Sequence, residues 1–106
     1  MEGMLEQLLD DFLKEAQEDH VGLWAVLWVL KSKFPGNSPN ELQSKTISLI
    51  ERMLERGAVA GMFVAKSFQP WNDQNPRSVG ARIRREWREL GREPDIGDIV
   101  WLTCVS

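Results

Sequence analysis

The sequence predicts a helix-rich α+β domain, and three patterns along its 106 residues indicate this class. Apolar residues near the N-terminus recur at intervals of three and four, as on one face of an amphipathic helix. A serine-proline pair at residues 38–39 is typical of a helix start. Two short apolar segments, residues 58–65 and 99–105, have the length and composition of strands. Together these patterns favour helices packed against a small sheet.

The first two predicted helices differ in how much of their surface is apolar. The first has a single apolar stripe, formed by Leu5, Leu8, Leu9, Phe12, Leu13 and Ala16. The second is expected over residues 21–33, with Asp19 placed to cap it. Its apolar residues cover most of its sides, which is typical of the central helix of a small bundle.

The third helix carries the clearest local signal in the chain. Ser38 fits the N-cap position, Pro39 the first helical position, and Glu41 the reciprocal position of a capping box. Gly57 is suited to the left-handed conformation that ends many helices. We therefore expect this helix to run from Pro39 to about Arg56.

The C-terminal half is predicted to alternate between strand and helix. Residues 58–65 suit a strand, and residues 66–77 a turn-rich loop. Ser78 is placed to cap a fourth helix that ends at Leu90, before Gly91. A turn leads to a closing strand over residues 99–105. A chain that closes inside a strand is expected to form one complete domain, residues 1–106.

This order of elements resembles a winged helix, in which helices precede a pair of strands. The resemblance is at the level of the fold only, because a loop and a helix separate strands that a wing usually joins by a short turn. We therefore expect a winged-helix-like α+β domain. It would have three N-terminal helices and two C-terminal strands with a helix between them.

Composition and motifs favour a binding protein over an enzyme. Cys104 is the single cysteine and His20 the single histidine, which excludes an intrachain disulfide and any site with two histidines. No glycine-rich phosphate loop and no nucleophile motif is present. We expect no catalytic residue, no metal and no cofactor. No signal peptide or membrane span is evident in the sequence, which favours a soluble, cytoplasmic protein.

Negative charge is concentrated near the N-terminus. The whole chain has a net charge of −3, yet residues 1–20 carry seven acidic residues against one lysine. Such a segment favours a protein partner with a basic surface over nucleic acid. The candidate partner-binding carboxylates are Asp10, Asp11, Glu15, Glu18 and Asp19.

Trp71 differs from the other tryptophans because it lies in the predicted polar loop, beside Phe68 and Pro70. The others are expected in the core or at its rim (Trp24, Trp28, Trp87 and Trp101). Two alternatives remain open for Trp71: it packs back over the bundle, or it is an exposed aromatic anchor for a partner. It is therefore a sixth candidate for partner binding.

The alternative function is a winged-helix DNA-binding transcriptional regulator. Its basic residues would be Lys45 and Arg52 on the third helix, or Arg84 and Arg88 on the fourth. Glutamates are interleaved with the arginines of the fourth helix, which favours a solvated surface over phosphate binding. Nucleic acid is therefore the less favoured partner.

Several segments carry a resemblance to a family, among them His20-Val21-Gly22-Leu23-Trp24, Phe68-x-Pro70-Trp71 and Ile96-Gly97-Asp98-Ile99-Val100-Trp101. With these segments the chain resembles a group of small bacterial single-domain proteins of about this length. Small acidic proteins of this kind also resemble immunity proteins, which neutralise a toxin delivered by a competing cell. The resemblance assigns no contact residues. It makes the leading hypothesis an immunity protein that binds and blocks a toxin domain, for example a nuclease.

Overall fold

The computed structural model describes residues 2–104, which form an α+β domain of four helices and one antiparallel sheet of four strands. Along the chain the elements are α1 (Glu2–Glu18), β1 (Val21–Gly22), α2 (Leu23–Lys33), α3 (Pro39–Glu55), β2 (Ala58–Val64), β3 (Ser67–Pro70), α4 (Pro76–Leu90) and β4 (Trp101–Cys104). The predicted class and the four predicted helices are confirmed. No helix within the described residues is long and apolar enough to cross a membrane.

The start and end of α3 agree with the prediction. The Ser38 N–H donates to the Glu41 carboxylate at 2.8 Å, and the Glu41 N–H donates to the Ser38 hydroxyl at 3.2 Å. The hydrogen bond from the Ser38 backbone favours the charged carboxylate and lowers the pKa of Glu41. Gly57 follows the helix with a φ of 103°, a backbone conformation that residues other than glycine rarely adopt.

The start of α2 differs from the prediction. Its N-cap is Gly22, and no side chain caps it. Asp19 instead accepts a hydrogen bond from the N–H of His20 at 2.8 Å. Both the cap at Asp19 and the helix start at residue 21 were wrong, because Val21 and Gly22 extend to pair with β4.

The start of α4 also lies earlier than predicted. The side-chain oxygen of Asn75, and not that of Ser78, accepts the capping hydrogen bonds, from the N–H groups of Arg77 and Ser78 at 3.1 and 3.2 Å. Pro76 occupies the first turn, where its missing N–H costs no hydrogen bond. Gly91 ends the helix as predicted, with a left-handed φ of 72°.

The sheet has the order β1-β4-β2-β3, so the last strand along the chain lies in its interior. Leu102 of β4 is opposite Val21 of β1 on one side and Ala60 of β2 on the other. The prediction of two strands was wrong, because β1 had been assigned to a helix and β3 to a loop. The closing strand is also shorter than predicted and covers residues 101–104, while Val105 lies outside the described residues.

β2 and β3 form a hairpin that the sequence did not reveal. Its turn consists of Ala65 and Lys66, both with a left-handed φ, of 51° and 70°. A turn of this kind favours Asn-Gly or Asp-Gly, since these residues tolerate positive φ. Ala-Lys lacks that signal, so residues 67–70 were assigned to the loop. The register places Phe68 directly opposite Phe63.

The core lies between the helices and one face of the sheet. α3 packs against α1, α2 and α4, and also contacts β2. Thr46 is the buried polar residue of α3, and its hydroxyl donates to the carbonyl oxygen of Leu42 at 2.7 Å. The largest fully buried apolar side chains come from all four helices and from β4 (Leu9, Leu23, Leu30, Ile50, Met53, Ile83 and Leu102).

The Gln74 side chain extends the sheet by taking the place of a strand residue beside β2. Its oxygen accepts from the N–H of Ala60 and its nitrogen donates to the Ala60 carbonyl, each at 2.8 Å. The same nitrogen donates to the carbonyl of Trp71 at 2.8 Å. Gln74→Leu leaves the Ala60 N–H and the Trp71 carbonyl without these partners, while the Ala60 carbonyl keeps the backbone N–H of Trp71 as a donor. We therefore expect the free energy of unfolding to fall by about 2 kcal/mol.

Urea denaturation followed by circular dichroism measures this loss. Gln69→Leu is the matched control, because Gln69 is exposed and its side chain donates a long hydrogen bond to the Ser67 hydroxyl, at 3.3 Å. The control should change the free energy of unfolding by less than about 0.5 kcal/mol. Equal losses in the two variants would contradict the role given to Gln74.

Asp98 holds the segment between α4 and β4. Its carboxylate accepts from the Arg92 guanidinium and from the N–H of Asp95, both at 2.8 Å. The hydrogen bond from Arg92, and then that from Asp95, keep the pKa of Asp98 below its usual value. A carboxyl group with a lowered pKa in the folded state stabilises the fold at pH values above its unfolded pKa. That contribution is lost as the pH falls through the folded pKa.

Asp98→Asn is therefore expected to lower stability at neutral pH and to have a diminishing effect in acid. The loss at neutral pH should be about 1 kcal/mol, because the asparagine still accepts from Asp95 but without charge. Urea denaturation between about pH 7 and pH 3 measures the difference between the variant and the unchanged protein. A difference that stayed constant over this range would show that the charge of Asp98 is not its source.

Candidate protein-binding surface

α1 buries its apolar stripe and turns its carboxylates outward. Leu8, Leu9, Phe12 and Ala16 are buried, so helical periodicity directs the intervening positions to solvent. The residues predicted to bind a partner are all exposed, four on α1 and one directly after it, and we call them the acidic surface: Asp10, Asp11, Glu15, Glu18 and Asp19.

The acidic surface has one cationic neighbour within α1, the exposed Lys14, which forms no ion pair within the described residues. Within residues 2–104, no ion pair involves its four helical carboxylates, and Asp19 lies 3.6 Å from the imidazole of His20. Glu6, on the same helix, behaves differently. It pairs with Arg52 and, at 3.7 Å, with Arg56, and so joins α1 to α3. The acidic surface is therefore left open to a partner.

The charges of Glu15 and Glu18 do not favour the stability of α1 itself. The last turn of α1 contains no basic residue, and Glu15 and Glu18 lie near this end. The carbonyl end of a helix carries partial negative charge, so each nearby carboxylate costs about 0.3–1 kcal/mol when exposed. Binding to a partner explains these carboxylates more readily than a contribution to the stability of the helix.

A group of half-buried aromatic rings begins where the acidic surface ends. We call it the aromatic cluster, and it consists of His20, Phe63, Phe68 and Trp101. The His20 ring lies 4.7 Å from Phe63 and 5.2 Å from Phe68, between ring centroids. The Phe63 ring lies 5.7 Å from Phe68 and 5.4 Å from Trp101. His20 directly follows Asp19, so the two surfaces are continuous.

The strands position the aromatic cluster on the sheet face away from the core. Alternation along a strand sends Phe63 to the face opposite that of the buried Ala60, and the hairpin register brings Phe68 beside it. Trp101 is opposite Gly61, whose missing side chain leaves room for the ring of Phe68. A Cβ atom at residue 61 would lie only 2.7 Å from Cζ of Phe68.

Trp71 is not part of the aromatic cluster. It is half-buried and packs against the core, and its backbone N–H donates to the carbonyl of Ala60 at 2.9 Å. The Arg82 guanidinium lies 3.6 Å from the centroid of its ring. Trp71 therefore has a structural role beside α4, while the prediction that it also contacts a partner stays a prediction.

The described residues contain little chemistry of the kind that enzymes use. No group of three or more His, Cys, Asp or Glu side chains within residues 2–104 is arranged to hold a metal ion. Cys104 is half-buried, and its thiol lies 3.8 Å from the carbonyl oxygen of Leu13. Burial raises the pKa of this thiol, which favours the less reactive protonated form.

The basic residues of α3 are engaged within the protein. Lys45 donates to the side-chain oxygen of Asn37 at 2.6 Å, and its ammonium lies 5.2 Å from the centroid of the Phe34 ring. Arg52 is paired with Glu6. α4 packs along α3, so that a part of the α3 surface is covered. Arg84 and Arg88 lie elsewhere, in a cleft described below.

Comparison of the chain with protein-family models, curated proteins and solved structures finds no match. The functional proposals therefore depend on the geometry of these surfaces.

Proposed function

We propose that this chain is a non-enzymatic protein-binding module, an immunity protein that neutralises a bacterial toxin domain in the cytoplasm by binding it. The observation that carries the proposal is the continuity of the acidic surface with the aromatic cluster at Asp19 and His20. Exposed carboxylates without ion pairs are suited to a basic protein surface, such as the substrate cleft of a nuclease.

The two surfaces have different tasks in this mechanism. The carboxylates attract the basic partner over a distance of about 10 Å at moderate salt, and so raise the rate of encounter. The rings of Phe63, Phe68 and Trp101 then supply apolar contact area, since aromatic side chains dominate the energetics of many interfaces. These rings are better placed for this task than Trp71, because they adjoin the carboxylates.

The test is co-expression with the product of the adjacent gene, followed by calorimetry on the purified complex and a growth assay for protection. We expect a one-to-one complex and rescue of cells that produce the toxin domain. Phe68→Ala should weaken the complex by about 2 kcal/mol or more, as expected of an interface anchor. Circular dichroism of the variant checks that its fold is retained.

Ile96→Ala is the matched control, because Ile96 is a large apolar residue, 64% exposed, outside both surfaces. It should leave affinity and protection unchanged. A toxin that binds Phe68→Ala as tightly as the unchanged protein would remove the aromatic cluster from the interface. Absence of any complex and of protection would remove the immunity function itself.

The second candidate, a winged-helix DNA-binding regulator, is supported by the order of elements. The hairpin directly after α3 joins two strands by a short turn, as a wing does, and Lys66 lies at this turn. This function predicts salt-dependent binding of duplex DNA that falls when Lys45 and Lys66 are replaced by glutamine. Fluorescence anisotropy at low salt measures it, and absence of binding there would reject it.

A further inference from the structure

A cleft of about 780 Å³ opens between the C-terminal end of α2, the N-terminal turn of α3 and the C-terminal half of α4. Ligand pockets in proteins commonly have volumes of about 300–1,000 Å³. No residue of the acidic surface or the aromatic cluster lines this cleft. It is therefore a separate feature from the proposed toxin-binding surface.

One face of α4 forms a wall of the cleft. Arg84, Trp87, Arg88 and Gly91 are spaced by three and four residues, so they lie along one side of the helix. Their spacing places the Trp87 indole and two guanidinium groups on the wall of the same cleft. Trp87 is half-buried, whereas both arginines are exposed.

The cleft carries an excess of positive charge. Its cationic residues are Lys31, Arg84, Arg88 and Arg92, and its one acidic residue is Glu93. Lys31 is paired with Glu93 at 2.9 Å, and Arg92 with Asp98 at 2.8 Å. Within residues 2–104, no ion pair involves Arg84 or Arg88.

The glutamate between these arginines along α4 pairs with a different arginine. Glu86 accepts from the Arg82 side chain at 2.6 Å, on another side of the helix. Glu51 of α3 lies against Gly80, where burial beside α4 raises its pKa and Arg77 and Arg84 partly oppose the shift. Within residues 2–104, the glutamates interleaved with the arginines of α4 therefore form no ion pair with Arg84 or Arg88, while the prediction of a solvated surface stays a prediction.

Apolar and aromatic side chains also line the cleft. They include Leu27 of α2, Phe34 directly after α2, and Leu42 of α3. Pro39 and Asn40 add the N-terminal turn of α3, whose partial positive charge has the same sign as that of the arginines. A ligand in the cleft would therefore contact two guanidinium groups and an aromatic ring.

We propose that this cleft binds a small phosphate-bearing ligand that also contains an aromatic ring, with a nucleoside monophosphate as the representative of this class. Arg84 and Arg88 hold the phosphate, because guanidinium groups donate paired hydrogen bonds to phosphate oxygens. The aromatic ring of the ligand stacks on Trp87. The proposal is independent of toxin binding.

The test is an NMR titration of the full chain, labelled with ¹⁵N, against adenosine monophosphate at low salt. We expect saturable shifts of the amides of Lys31, Phe34, Asn40 and Arg88, with a dissociation constant below about 1 mM. Adenosine, which lacks the phosphate, and ribose 5-phosphate, which lacks the ring, should each bind about tenfold more weakly or worse.

Two double variants of α4 distinguish binding in the cleft from an effect of net charge. Arg84→Gln with Arg88→Gln should weaken binding of adenosine monophosphate by about tenfold or more. Arg77→Gln with Arg85→Gln removes the same charge from α4 outside this cleft and should leave binding unchanged. Equal losses in the two double variants, equal binding of ribose 5-phosphate, or absence of saturation would each overturn the proposal. Shifts at the cleft with a DNA duplex but not with adenosine monophosphate would also overturn it.

Discussion

Reversal of charge at Asp11 and Glu15, by Asp11→Lys with Glu15→Lys, is expected to slow association with the toxin by about 10- to 100-fold at low salt. Both carboxylates are exposed on α1 and neither has an ion pair within the described residues. The dissociation rate should change much less, by about threefold at most, because steering acts before the contacts form. Surface plasmon resonance at low and at moderate salt measures both rates.

The matched control is Glu55→Lys with Glu89→Lys. Both double variants change the net charge from −3 to +1, so a difference between them reports where the charge lies. Glu55 and Glu89 are exposed near the ends of α3 and α4, outside the acidic surface. Association rates that fell equally in the two variants would mean that net charge alone is responsible. Rates that fell in neither would exclude the acidic surface as the steering element.

Gly61→Ala is expected to lower the free energy of unfolding by about 3 kcal/mol, the largest loss of stability expected of a single added methyl group here. A Cβ atom at this position would collide with the backbone oxygen of Gln69 and lie 2.9 Å from Cα of Pro70. These backbone atoms belong to β3, which is paired with β2 and cannot withdraw without breaking the hairpin. Thermal and urea denaturation measure the loss.

The same substitution should also weaken toxin binding, because the added methyl group displaces Phe68 from its place over residue 61. Gly36→Ala is the control, since a Cβ atom there has no neighbour within 4 Å. It should change the free energy of unfolding by less than about 0.5 kcal/mol. If the Gly61→Ala protein is as stable as this control, β3 can move to accommodate the methyl group. The hairpin is then less rigid than its hydrogen bonds indicate.

The helices could be predicted because their signals are local. The capping box of Ser38 and Glu41, the apolar stripe of α1 and the glycines after α3 and α4 each act within a few residues. The same rule made Asp19 and Ser78 plausible N-caps, but Gly22 and Asn75 occupy the N-cap positions of α2 and α4. Local rules locate a helix more reliably than its first residue.

The sheet could not be predicted in full because its pairing is not local. Val21 and Gly22 are a strand only because residues 101–102 lie beside them. β3 follows a turn of Ala65 and Lys66, and neither residue type predicts the positive φ that both adopt. Nothing in the sequence of residues 66–77 identifies Gln74 as the partner of the Ala60 backbone, since that contact is a product of the completed hairpin.

The candidate site was predicted in part for the same reason. The acidic residues on the outer side of α1 can be found from periodicity, and all five candidate carboxylates are exposed. The aromatic cluster draws its members from the start of β1, from the hairpin and from β4, so only a correct sheet brings them together. A correct hairpin prediction would have placed Phe63 opposite Phe68 and given the first sign of the cluster.

The interior position of β4 has a consequence for synthesis of the protein. Residues 2–100 can form helices and the β2–β3 hairpin as they leave the ribosome, but β1 and β2 have no common neighbour until residues 101–104 arrive. Long-range pairing of this kind is slow compared with helix formation. Because Trp101 belongs to the aromatic cluster, that cluster is incomplete until β4 is inserted into the sheet. Under the proposed function, a nascent chain gains its full contact area for a toxin only after residues 101–104 have paired with β1 and β2.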